Sequence, residues 1–297
     1  MNQPSSRRRL FSLSAGLAVG ALAAPSIARA DDCVEDTLDK IKRTKTFSLG
    51  VRDATPPYGW KQADGSYTGF ATDIARAIHA AVSKELGMTI ALTTTPVTGQ
   101  TRLPLLQNGT IDMEAGATVV TQARTKIVDF AIAHFLTSTE VMVMADSDIK
   151  TLADLAGKRI GVPQGGLEEP AYRELNAKKA LNPPVTTIGF PDHPQGFTAL
   201  QTGSIDGYST DGPILYGLAA RSPKYRIIDI NTFLQAFPIR PESSRFRRIA
   251  DVTIATLSAS GEWTRLYQKY FGPDSKAPFP MTETLSAMVK MNSWPVQ

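Results

Sequence analysis

The chain has one cysteine, Cys33, in 297 residues. An internal disulfide framework and a Cys-rich zinc site are thereby excluded. Histidine is also scarce, with only His79, His134 and His193. No His-Glu-x-x-His zinc pattern and no Gly-x-Ser-x-Gly nucleophile elbow occurs. The expectation is therefore no metal, no cofactor and no catalytic residues. Net charge is lacking too, once the first 30 residues are set aside. They hold Arg7, Arg8, Arg9 and Arg29 and no acid, and the remainder carries 28 basic against 28 acidic residues. Nucleic acid is excluded as a partner, because phosphate binding needs a basic footprint. No apolar run reaches the roughly 20 residues that cross a bilayer comfortably. Hydrophobic residues at 42% and charged residues at 20% describe an ordinary globular chain rather than a disordered one.

Residues 1–30 read as an export signal. Arg7–Arg9 supply the charged start, 10–24 the apolar stretch, and Ala28-Arg29-Ala30 a small-x-small cleavage site before Asp31. Ser6-Arg7-Arg8-Arg9-Leu10-Phe11 resembles a twin-arginine signal, and twin-arginine and Sec export both stay open. Asp31-Asp32 before Cys33 is no small-residue lipobox, so a lipid anchor is not expected. The expected mature protein is periplasmic and is released by cleavage after Ala30.

Beyond residue 30 the length suits about two domains. Strand-like and helix-like segments alternate, which predicts an α/β protein. Strands are expected at 47–52, 89–94 and 111–115, with helices at 71–86 and 102–107. After Asp146 the pattern restarts, with strands at 159–163, 185–190, 205–209 and 225–230. Helices are expected at 152–155, 167–176, 193–202 and 213–220, then 243–257 and 262–270. The last stretch, with Pro278, Pro280 and Pro295, is expected to lie along the surface. Leu106-Gln107-Asn108-Gly109-Thr110-Ile111-Asp112 recurs from residue 200 as Leu200-Gln201-Thr202-Gly203-Ser204-Ile205-Asp206. Each copy ends a helix, offers a glycine for the left-handed C′ position and enters a strand. Coincidence is one reading of this echo. The other is two lobes on one plan, whose strand ends, near 116–119 and 210–211, face each other across a cleft.

The segment from Pro96-Val97-Thr98-Gly99-Gln100-Thr101-Arg102 to Gly109-Thr110, the pair Asp192-His193 and the ending Ser260-Gly261-Glu262-Trp263 carry a family resemblance. The chain resembles the amino-acid-binding (family 3) periplasmic solute-binding proteins of ABC importers, and most of all their glutamate/aspartate receptors. The resemblance implies a two-lobed, type II periplasmic-binding-protein fold with two hinge crossings and a ligand cleft between lobes. It places lobe 1 at 31–141 plus 238–297 and lobe 2 at 142–237. It implies a monomer that captures a small carboxylated solute, an amino acid of acidic character, and passes it to an inner-membrane ABC permease. Two alternatives share the fold: an enzyme such as a cyclohexadienyl dehydratase, and a receptor for another carboxylated solute or a signalling system.

The resemblance also implies site residues. Arg124 matches the arginine that grips the solute's α-carboxylate, a task suited to a planar guanidinium fork. Arg52 and Arg102 match the arginines that clasp a side-chain carboxylate. His193 falls at the side-chain end of the solute, and Asp211 at its ammonium group. Tyr58 and Trp60 fall where aromatics wall the solute. Where the glutamate/aspartate receptors carry hydroxyl side chains, this chain has Gly99, Ala117, Val119 and Leu167, which leaves the solute unnamed. Ala117, Val119 and Leu167 would add apolar wall. Glu168 and Glu169 read as first-turn acids suited to a helix dipole.

Overall fold

The computed structural model describes residues 35–220 and 222–294. The expected signal segment, Cys33 and Pro295 lie outside the described residues. Helix α1 (Thr37–Thr44) starts at Asp36, whose side chain accepts the Leu38 N–H at 2.8 Å. Helix α2 (Phe70–Leu86) realises the expected 3.6-residue period by burying Ile74, Ile78 and Val82. Gly87 ends it in the left-handed region and donates to the last turn.

The strands form two larger sheets and one small one. The first sheet holds β1 (Thr46–Val51), β5 (Ala91–Pro96), β6 (Met113–Ala115), β7 (Asp129–Phe130) and β13 (Pro238–Ile239), in the order β5-β1-β6-β13-β7. The small sheet pairs β2 (Ala54–Thr55), β3 (Gly59–Lys61) and β4 (Tyr67–Thr68). The second large sheet holds β8 (Phe135–Met144), β9 (Arg159–Pro163), β10 (Thr186–Phe190), β11 (Gly207–Asp211) and β12 (Tyr225–Gln235), in the order β10-β9-β11-β8-β12. Each large sheet begins with three parallel strands in the same arrangement, β5-β1-β6 and β10-β9-β11. The first strand of each trio is central, so the strand order reverses beside it, and ligands of open α/β sheets collect at such switch points.

The internal echo has a mechanical meaning. It closes α3 (Arg102–Gln107) in one half and α5 (His193–Gln201) in the other. Gly109 and Gly203 have φ of 75° and 72°, which only glycine adopts freely. Asp112 then accepts the Ser48 N–H at 2.9 Å, and Asp206 accepts the Arg159 N–H at 2.7 Å. The same aspartate thus ties the third strand to the start of the central strand in both sheets. Each also pairs with a cation, Lys40 in one half and Arg159 in the other.

The chain leaves the first sheet after β7 and enters the second at β8. The boundary expected at 141/142 falls inside β8, which pairs with β12 from Phe135↔Gln235 to Met144↔Tyr225. The outgoing and returning segments run side by side: Ala131 donates to the Phe237 carbonyl, and His134 to that of Gln235. The His134 ring stacks on Phe237 at 3.9 Å.

The remaining helices are α4 (Glu168–Ala177), α6 (Gly212–Ala219), α7 (Ser244–Ala259), α8 (Glu262–Phe271) and α9 (Glu283–Asn292). The core beside the first sheet is aromatic. Phe70 meets Phe135, Trp263 and Phe271 edge-on at 5.1–5.6 Å, each such pair adding about 0.5–1.5 kcal/mol beyond area burial. Helix α9 corrects the expectation of a surface tail at the C-terminal end. It buries Leu285, Met288 and Val289, and the Asn292 side chain donates to the Ala133 carbonyl.

Candidate functional site

A cavity with about 40 Å³ of room for water-sized spheres lies where the two switch points face each other. Arg52 follows the last residue of β1, and Ala117 and Val119 follow β6. Gln164, Gly166, Leu167 and Glu168 follow β9, and Asp211 ends β11. Arg102 at the start of α3, Arg124 in a 3₁₀ turn and His193 at the start of α5 add to the polar lining.

The structure brings together every expected site residue except Tyr58 and Trp60. Tyr58 lies outside that lining: it is fully buried, with its ring 5.4 Å from Phe135 and 5.6 Å from Phe271. Its ring packs into the first-sheet core. Trp60 is likewise occupied edge-on against Tyr270, outside the lining. Sequence reading missed Thr55, Thr139, Gln164, Thr210, Ile214 and, most consequentially, Glu168. The pair read as first-turn acids divides: Glu169 is exposed, but Glu168 is 5% exposed and turned into the cavity.

The three arginines are held differently. Arg124 is buried and donates to the Val119 carbonyl at 2.9 Å and to the Gly165 carbonyl at 3.2 Å. It thus joins the segment after β6 to the turn after β9. Arg102 donates to Thr118 Oγ1 at 2.5 Å, and Thr118 donates to Glu114 Oε2 at 2.7 Å. Its Nε is buried without a partner. Burial, then the Arg102 charge, pulls the guanidinium groups of Arg52 and Arg124 down to about 10. Both remain cations at neutral pH.

Asp211 occupies the N-cap position of α6, yet its side chain makes no capping bond. It accepts instead from Gln235 Nε2 at 3.0 Å. Burial, then Glu168, pushes its carboxyl far up, while Arg102, Arg124 and the Gln235 bond pull the other way. His193 Nδ1 lies 2.9 Å from the Tyr208 hydroxyl. Burial, Arg52 and Arg102 push the imidazole down to about 3, so it is neutral at physiological pH. A neutral imidazole retains one donor and one acceptor.

Gly99 and Gly165 meet where the two halves touch. A Cβ on Gly99 would collide with the Gln164 carbonyl oxygen, and one on Gly165 would lie 2.5 Å from the Gly99 carbonyl carbon. The missing hydroxyl at Gly99 thus has a steric cause. Chemically, the cavity offers cationic forks, one neutral imidazole, two buried carboxyls and an apolar wall of Ala117, Val119, Leu167 and Ile214. This set suits a small molecule bearing both carboxylate and ammonium groups. Among the described residues no His/Cys/Asp/Glu group could hold a metal ion, and no helix is long and apolar enough to cross a membrane.

Known proteins share this plan. The L-glutamate/L-aspartate-binding protein of Pseudomonas aeruginosa is 32% identical over 289 residues, which span 93% of this chain and 94% of that one. The glutamate/aspartate import solute-binding protein of Escherichia coli is 30% identical over 286 residues, spanning 94% and 90%. The crystal structure of the ancestral amino acid-binding protein AncCDT-1, a precursor of cyclohexadienyl dehydratase, matches with a TM-score of 0.70 at 24% identity. It covers 80% of this chain and 99% of that one, and this likeness shows the shared fold, the type II periplasmic-binding-protein fold. The pattern of one family, described as bacterial extracellular solute-binding proteins, family 3, runs from residue 47 to residue 273, and the chain belongs to that family.

Proposed function

We propose that this protein is a periplasmic receptor that captures an amino acid of acidic character by closing two lobes around it. It then delivers the solute to an ABC permease of the inner membrane. The observation that carries this reading is the convergence of Arg52, Arg102 and Arg124 with Asp211 on one cavity. Three cations gathered in one place repel one another unless anions neutralise them. The names of the Pseudomonas and Escherichia relatives support glutamate or aspartate as the solute.

In this reading Arg124 holds the α-carboxylate, and Asp211 with the Gln235 amide behind it receives the ammonium. Arg52 and Arg102 take the side-chain carboxylate, with His193 beside it. Ala117, Val119 and Leu167 line the carbon chain. The lobes are built on the two large sheets, with crossings at 131–134 and 235–237, and α7, α8 and α9 belong to the first lobe. Closure is a population shift, driven only by contacts better made in the closed state.

Thermal-shift screening of the mature protein against amino acids and dicarboxylates tests the reading. A true solute at 100 times its dissociation constant adds about 2.7 kcal/mol of stability. L-glutamate or L-aspartate is expected to give such a shift, and no shift with any carboxylated solute would overturn the receptor assignment. Asp211→Asn is expected to weaken glutamate while sparing glutarate, which lacks the ammonium. Equal losses for the two would remove the ammonium role from Asp211.

The Gly99–Gly165 seam gives a separate test of closure. Gly99→Ala inserts a methyl where the Gln164 carbonyl sits in the closed form. Overpacking of this kind costs about 1–3 kcal/mol. Calorimetry is expected to show affinity weakened by that amount. The melting temperature of the ligand-free protein should change little if the lobes can part. Unaltered affinity would mean that the seam yields without cost.

A further inference from the structure

The cavity's charge balance turns on Glu168. Arg52, Arg102 and Arg124 supply three positive charges. Glu114 and Asp211, when Asp211 is ionised, oppose two of them, because each acts on both Arg52 and Arg124. With Glu168 neutral the site carries one net positive charge. With Glu168 ionised it carries none.

The geometry makes Glu168 a switchable group. It opens α4 directly after the Gly165-Gly166 turn, is 5% exposed, and its Oε2 has no hydrogen-bond partner. Arg124 and Arg102 face it from the first half, and Asp211 from β11. Tyr172 one turn along α4 and Tyr208 on β11 also feel its charge. Burial pushes the Glu168 carboxyl up to about 7, against the pull of its own helix N–H groups and the two arginines. His193 and the two tyrosines keep their charge near neutrality, whereas Asp211, a second buried carboxyl, is raised along with Glu168. His193 is held down at about 3, and burial raises both tyrosines above their usual value.

We propose that Glu168 sets the charge class of the solute: as a neutral acid it makes the site complementary to an amino acid of net charge minus one, and as a carboxylate it makes the site complementary to a neutral zwitterion. The inference rests on the amino-acid-receptor reading and deepens it. No bond is made or broken, and the proton that neutralises Glu168 comes from solvent. Capture of an acidic amino acid above neutral pH therefore takes up one proton, and capture of a neutral one takes up none.

Calorimetry with L-glutamate and L-glutamine tests this on the mature wild-type protein and on Glu168→Gln, at about pH 6 and about pH 8.5. For the wild type, the preference for glutamate over glutamine is expected to fall with rising pH. The limiting slope is about tenfold per pH unit, as linkage to one proton requires. The binding heat for glutamate at the higher pH should vary with the ionisation heat of the buffer, corresponding to uptake of about one proton. The Glu168→Gln protein, whose amide cannot ionise, should show a preference that does not change with pH. A flat wild-type preference, or the same pH dependence in Glu168→Gln, would overturn the proposal while leaving the receptor standing. If the variant does not fold, the buffer dependence of the wild type decides alone. If glutamate binds at no pH, the acidic-receptor reading and this inference fall together.

Discussion

Arg124→Ala is expected to weaken solute capture by about 2–5 kcal/mol, the usual cost of removing one partner of a buried charge pair. In dissociation constant this is about 30-fold to several thousandfold. Two losses add together. The solute's carboxylate loses its bidentate partner, and the link from Val119 to Gly165 across the two halves disappears. Arg124→Lys should recover only part of the loss, since a single ammonium cannot bridge two carbonyls and a carboxylate with a planar fork. Calorimetry with the best solute from the screen measures both variants. Wild-type affinity in Arg124→Ala would remove the carboxylate-clamp role.

Acid is expected to destabilise the fold through two histidines. His134 and His193 are fully enclosed, and burial holds both imidazoles down to about 3, with Arg52 and Arg102 adding to the effect at His193. The unfolded chain protonates its histidines near 6.5, so below that pH it binds more protons than the native state, and stability falls as pH falls. Between about pH 7 and pH 4 the loss is on the order of 3 kcal/mol for each histidine. Burial acts oppositely on Glu140, whose carboxyl is pushed up to about 7. Its contribution is full below the ordinary carboxyl value and is lost as pH rises toward 7. His134→Phe separates the two effects, because every carboxyl is common to both proteins. The imidazole already stacks on Phe237, and neither ring nitrogen has a partner to lose. Urea unfolding at the two pH values is expected to show a smaller acid loss in the variant, by about 3 kcal/mol. Parallel losses would mean that His134 is not what acid attacks.

Much of this could be read along the chain, for identifiable reasons. The heptapeptide echo was legible because glycine and aspartate do the same backbone work in both halves. The cavity's arginines and Asp211 were legible only through their likeness to a family, since an isolated Arg in sequence is indistinguishable from a surface charge. Strand β8 went unread because its far half, Val141-Met142-Val143, is buried on both faces and does not alternate. Helix α9 was hidden by the prolines around it, yet those prolines only bound it: Thr282 supplies a cap by accepting the Leu285 N–H. Glu168 was misread because its neighbours Arg124 and Asp211 are remote in sequence, and an acid beside a helix start is ordinarily solvated.

The Gly99–Gly165 contact sets how finely the molecule can signal occupancy. It is main chain against main chain, with no side-chain rotamers to settle into intermediate fits. A seam of that sort meets or stays apart, so partial shapes gain nothing from it. Whatever inspects the outside of this protein would therefore read a yes or a no rather than a graded tilt.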